Sequence, residues 1–128
     1  MGFSVAWEDI DKHVIRIDAV QDDITWSDVF AAVDVSYDMM GEVSHTVHTI
    51  IAMRSPKQVL TGALHRSRQM VANVHPNQGM SIFVGGGMLM ETMIGISRRL
   101  MPSLPVMHCV ATVEEARALI AAQEREQV

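Results

Sequence analysis

Residues 45–53 read HTVHTIIAM, and this stretch decides the fold class. Successive side chains of a β-strand point to opposite faces of the sheet. Both sets are apolar here, with Val47, Ile51 and Met53 on one side and Ile50 and Ala52 on the other. A strand with two apolar faces needs cover on both sides, as the inner strands of α/β sheets have. The stretch therefore predicts a central strand.

The sequence on both sides of this strand alternates between strand and helix patterns. Further strands are predicted, from period-two alternation or short apolar runs, at residues 3–8, 13–20, 80–84 and 106–110. Helices are predicted, from apolar spacings of three and four residues, at residues 25–41, 59–74, 88–101 and from 112 onward. Thr25 is the expected N-cap of the first helix, and Thr112 with Glu115 forms a capping-box pattern for the last.

The resulting order, β-β-α-β-α-β-α-β-α, predicts a single α/β domain over residues 1–128. The expected architecture is a mixed five-stranded sheet with an antiparallel first strand. Right-handed crossovers between neighbouring parallel strands place the helices mainly on one face. The second apolar face then needs its own cover, and the sequence leaves three candidates open: a folded-over first helix, a partner chain or a ligand.

Composition limits the classes of partner. The chain is 48% hydrophobic with 11 Met and only 5% aromatic residues, which predicts an adaptable aliphatic core. A formal net charge of -5 argues against nucleic acid as a partner. The charge is also lopsided, because residues 1–42 are strongly acidic and residues 43–104 are basic. Such asymmetry favours a complementary protein partner or a second copy of the chain.

The expected cellular setting is cytoplasmic. Cys109 is the only cysteine, so the chain cannot form an internal disulfide, and a reducing compartment is the simpler interpretation. No apolar run is long enough to span a membrane, and residues 1–12 lack the pattern of a signal peptide.

One segment carries a family resemblance. Together with the element order, the stretch Val59-Leu60-Thr61-Gly62-Ala63-Leu64 resembles the way the STAS (sulfate transporter and anti-sigma factor antagonist) superfamily enters the helix after its third strand. Thr61 and Gly62 match the second Ser and the Gly of the family's Asp-Ser-Ser-Gly-Leu-Gly stretch, whereas Val59 and Leu60 replace its acidic and phosphorylated residues. The resemblance implies a noncatalytic regulatory domain of the anti-sigma factor antagonist type. It also makes this loop a candidate regulatory site, with Ser55, Thr61 and Gly62 as its residues.

Two features suggest an anion or an acidic partner. Basic side chains surround the same loop and the helix that follows it, namely Arg54, Lys57, Arg66 and Arg68. A triple glycine, Gly85-Gly86-Gly87, separates a strand from a helix, where backbone N–H groups can approach an anion. Because Met90 stands where a dinucleotide fingerprint has Gly or Ala, a plain tight turn is the stronger interpretation of the glycines.

The remaining reactive side chains form no catalytic or metal-binding pattern. On a strand His45 and His48 face opposite sides, as do His108 and Cys109, so neither pair can act on one atom. We therefore predict no metal, no cofactor and no catalytic residue. Three functions stay open: a noncatalytic STAS-like domain that binds a protein or its own copy, a carrier or sensor of a small apolar or anionic ligand, and an enzyme with an unusual site near Ser55, His65 and the glycine turn.

Overall fold

The computed structural model describes residues 2–53, 74–85, 87–100 and 106–126. In chain order the elements are β1 (Phe3–Trp7), β2 (Val14–Ala19), α1 (Trp26–Met40), β3 (Val47–Ala52), β4 (Gln78–Val84), α2 (Gly87–Leu100), β5 (Met107–Val110) and α3 (Val113–Glu126). The predicted helix at 59–74 falls almost wholly outside the described residues.

The five strands form one mixed sheet in the order β1-β2-β3-β4-β5. β1 and β2 are antiparallel, and all other neighbours are parallel. This arrangement confirms the predicted fold class and places β3 at the centre of the sheet.

The β1–β2 hairpin is held by the side chain that begins its turn. The carboxylate of Asp9 accepts the main-chain N–H groups of His13 and Val14, each at 3.0 Å. The N–H of Glu8 donates to the carbonyl of Val14 at 2.8 Å, which closes the strand pair. Lys12 takes a positive φ of 60°, so the turn is tight. The polar link predicted between the first two strands is therefore a hairpin.

Helix α1 follows the sequence prediction closely because both of its ends are encoded locally. Thr25 and Asp28 form a reciprocal capping box, and Gly41 follows the last helical residue. The helix buries Ala32 and Met40 against one face of the sheet. This surface, which carries Ile15, Ile17 and Val47, is called the α1 face below.

Helix α3 covers the opposite side of the sheet. Its Ala116 and Ile120, 0% and 5% exposed, pack against Val14, Ile50 and Ile82, which define the α3 face. The C-terminal helix is thus the cover of this face, and it was not among the three candidates considered from the sequence. This helix follows the last strand of the sheet and does not connect two parallel strands. The right-handed crossover rule therefore does not determine which face it covers.

Helix α2 packs beside β5. The carboxylate of its Glu91 is close enough to Cys109 to affect the pKa of the thiol. Cys109 is in register with Phe83 and Ile51 on the neighbouring strands, so its side chain points to the α1 face. Two of the three described helices therefore share a face, as expected. Within the described residues, no helix combines the length and apolarity needed to cross a membrane.

Candidate functional site

The residues predicted to form a site follow the third and fourth predicted strands in the sequence. Most of them lie outside the described residues: Arg54, Ser55, Lys57, Thr61, Gly62, His65, Arg66, Arg68 and Gly86. The described members are Gly85 and Gly87. The proposed regulatory loop therefore stays a prediction.

Gly85 follows β4 at the edge of the sheet where the parallel strands end, and its conformation has a steric explanation. Gly85 adopts φ +86°, and a Cβ there would lie 2.8 Å from the carbonyl oxygen of Met53. Its N–H donates to the carbonyl of Val110 at 3.4 Å, so the turn passes closely between the ends of β3 and β5. Gly87 begins α2 with φ 62°. Close backbone packing accounts for Gly85, which agrees with the tight-turn interpretation.

The opposite edge, where β2 and β3 begin, contains a cleft that the sequence did not indicate. The cleft measures about 440 Å³ and lies between the β1–β2 hairpin and α3. Its charged and polar lining consists of Glu8, Asp9, His13, Arg117 and Glu124, over a floor formed by Val14, Ile120 and Ala121.

Most of the charged side chains of this cleft have a charged or titratable partner nearby. Glu8, whose side chain is 17% exposed, accepts a hydrogen bond from Nε of Arg117 at 2.8 Å and lies 3.5 Å from Nη1 of Arg16. Glu124 lies 3.4 Å from Nδ1 of His13. These pairs join the N-terminal hairpin to the C-terminal helix. The arrangement stabilises the docking of α3.

His13 lines the cleft, and two further histidines, His45 and His48, lie near it. The rings of His13 and His45 contact edge to face, with centroids 4.5 Å apart, and Nε2 of His45 donates to the carbonyl of Lys12 at 2.9 Å. His48 is only 4% exposed, and its Nδ1 accepts the N–H of Met80 at 3.0 Å. Burial lowers the pKa of His48, the carboxylate of Glu124 opposes this effect and His13 adds to it.

The histidines do not assemble a metal site in the described part of the chain, where no three His, Cys, Asp or Glu side chains are grouped closely enough to hold an ion. His45 precedes β3 and contacts the hairpin, whereas His48 lies inside β3. The sequence analysis separated the two because they lie on opposite faces of a strand, but it did not predict the hydrogen bond that His48 makes to Met80. The available signal was Gly79, which directly precedes the strand predicted at 80–84, because a glycine in a strand marks a bulge or a close approach.

A third feature is the exposed side of α2 together with the residue that precedes β5. Four apolar side chains are exposed there: Met88 (83%), Leu100 (54%), Val106 (48%) and Ile96 (45%). Arg98 and Arg99 are also exposed in the last turn of α2. No residue of α2 is among the described members of either core cluster. These six residues define what we call the α2–β5 surface.

Comparisons with known proteins identify no relative. No family model, no curated protein and no solved structure matches the chain. The structure defines an α/β protein with a mixed five-stranded sheet. The resemblance to the STAS superfamily stays a prediction based on element order and the 59–64 segment.

Proposed function

We propose that this chain is a noncatalytic interaction domain that binds a second copy of itself through the α2–β5 surface. The observation that carries the proposal is the exposure of Met88, Ile96 and Leu100 on α2 and of Val106 directly before β5. Exposed apolar side chains grouped on one part of a surface favour a contact with another protein. The STAS resemblance supports the same class of function, and a cytoplasmic setting is part of the proposal.

Charge favours a second copy as the partner. Arg98 and Arg99 give the α2–β5 surface a basic end, while α1 exposes Asp34 and Asp38 on its solvent side. One copy can therefore place its basic helix end against the acidic helix of another. A contact between two different surfaces is heterologous, so it continues into rings or chains of copies unless the geometry closes.

Light scattering over a wide range of protein concentrations tests this proposal. The wild type should increase in average mass with concentration, and added salt should reverse the increase because the contact joins opposite charges. The double variant Ile96→Glu, Leu100→Glu should stay monomeric. A matched control is Ile10→Glu, because Ile10 is 98% exposed but lies in the β1–β2 hairpin, away from the α2–β5 surface.

Charge reversal supplies the decisive comparison. Arg98→Glu with Arg99→Glu should abolish association, and so should Asp34→Arg with Asp38→Arg. Mixing the two double variants should restore a complex, because each then supplies one intact, complementary surface. A wild type that stays monomeric up to near-millimolar concentration would overturn the proposal, as would association that Ile10→Glu removes and Ile96→Glu, Leu100→Glu leaves intact.

A further inference from the structure

His48 occupies an unusual position between two strands. Its ring lies against the backbone of β4, where Gly79 leaves the space for it. A Cβ at position 79 would lie 2.5 Å from Nδ1 of His48 and 2.8 Å from its Cε1. The register of β3 and β4 shifts between Val47 and Thr49, so His48 sits at an irregularity of the ladder. There its ring supplies the acceptor for the Met80 N–H, at 3.0 Å.

This hydrogen bond fixes the tautomer of the ring. A main-chain N–H can only donate, so Nδ1 of His48 must offer a lone pair to Met80. In the neutral ring the single proton is then on Nε2. A doubly protonated ring carries hydrogen on both nitrogens and cannot accept this bond. The contact between β3 and β4 at Met80 therefore requires a neutral His48.

Two titratable side chains act on the charge of the His48 ring. Glu124 of α3 favours the charged ring, while His13, next to the start of β2, disfavours it. His45, which precedes β3, contacts His13 and not the His48 ring in the described structure. Burial of the His48 side chain has the largest influence, and it favours the neutral form. The pKa of His48 thus lies below the ordinary value of 6.5, so the ring is neutral near pH 7 and gains its second proton only at lower pH.

We propose that protonation of His48 opens the junction between β3 and β4 at the amino end of the sheet. The incoming proton binds Nδ1, takes the lone pair that Met80 uses, and leaves two N–H groups facing each other. The neighbouring contacts carry the change further. The carbonyl of Asn77 accepts the Val47 N–H at 2.8 Å, and Nδ2 of Asn77 donates to the carbonyls of Met40 and Val43 at 3.0 Å. Opening at Met80 therefore weakens the hydrogen bonds by which Asn77 holds the end of α1.

Amide hydrogen exchange and ¹⁵N spectroscopy of the intact chain test the proposal. In the wild type, the protection factor of the Met80 amide should fall about tenfold when the pH is lowered through the titration of His48, because one hydrogen bond is lost. The amide of Ile82, further along the same strand, should keep its protection. The ¹⁵N shifts of the His48 ring should report the Nε2–H tautomer near neutral pH.

The matched variant is His48→Asn. The Oδ1 atom of Asn can accept the same N–H but does not titrate, so Met80 protection should become independent of pH. His45→Asn should retain the wild-type response, since His45 makes no contact with Met80. An unchanged Met80 protection factor while His48 titrates would overturn the proposal, and so would an Nδ1–H tautomer at neutral pH. Both of these readouts use the wild type, so they decide the matter even if His48→Asn does not fold.

Discussion

Cys109 shows how its surroundings set the reactivity of a single side chain. Burial in β5, together with the nearby carboxylate of Glu91, raises the pKa of the thiol to about 11, from an ordinary value of 9.0. Only the thiolate is nucleophilic. At pH 8 the folded protein should thus hold about 100-fold less thiolate at this position than the unfolded chain. The half-buried thiol is therefore poorly reactive in the folded protein.

We expect alkylating reagents to reveal this difference. At pH 8, native protein should react with iodoacetamide at least about 100-fold more slowly than protein unfolded in denaturant, because both thiolate content and access are reduced. The control is Glu91→Gln, which removes a neighbouring negative charge and should speed the native reaction. Similar rates for folded and unfolded protein would contradict the burial of the thiol.

The limits of sequence reasoning are clearest at His48. The alternating pattern of residues 45–53 correctly predicted a strand with the His48 side chain on one of its faces. The bond to Met80 depends on a shift in register between β3 and β4, which arises from the pairing of two distant segments. A pattern within one strand carries no information about that shift. Gly79 was the nearest signal, because its missing side chain makes the space that the ring occupies.

Among the elements, α1 was predictable and the side taken by α3 was not. Thr25, Asp28 and Gly41 mark the ends of α1 locally, so sequence spacing was enough. For α3, Thr112 does accept the N–H of Glu115 at 3.2 Å, but the Glu115 carboxylate accepts from Ala111, so the predicted capping box is only half formed. The side of the sheet that α3 covers depends on which apolar face the other helices leave open. The face that α3 covers is therefore set by tertiary packing and cannot be predicted from the sequence of the helix alone.

The docking of α3 should depend on burial more than on charge. Ile120 is 5% exposed within the α3 face, so Ile120→Ala should lower the free energy of unfolding by about 2–5 kcal/mol. The side chain of Arg117 is 53% exposed, and Arg16 remains near Glu8 without it. Arg117→Ala should therefore cost less than about 1 kcal/mol. Urea denaturation of both variants provides the comparison, and a larger loss for Arg117→Ala would show that charge pairing holds the helix.

At the scale of the whole molecule, negative and positive charges are concentrated on different helices. The exposed acids lie on α1, and the exposed bases lie at the end of α2. The sequence showed this asymmetry along the chain, and the structure adds that Asp34, Asp38, Arg98 and Arg99 are all exposed. The net charge alone would have suggested only an acidic protein. The distribution instead makes attraction between copies sensitive to salt, because exposed charges are screened within about 10 Å at moderate ionic strength.

Global stability should also respond to pH in separable steps. The pKa of His48 is lowered from 6.5 by burial, so the unfolded chain binds this proton first, and stability falls as the pH drops below about 6.5. The pKa of Asp28 is lowered from 3.8, mainly by the hydrogen bond from the Thr25 N–H, so its contribution is lost only below that value. On the alkaline side the raised pKa of Cys109 predicts a loss of stability between pH 9.0 and about 11.

Urea denaturation at closely spaced pH values should thus show a plateau of stability between about pH 7 and 9. His48→Asn should remove the first acid step alone and Asp28→Asn the second, and a first step that persists in His48→Asn would assign it to another group.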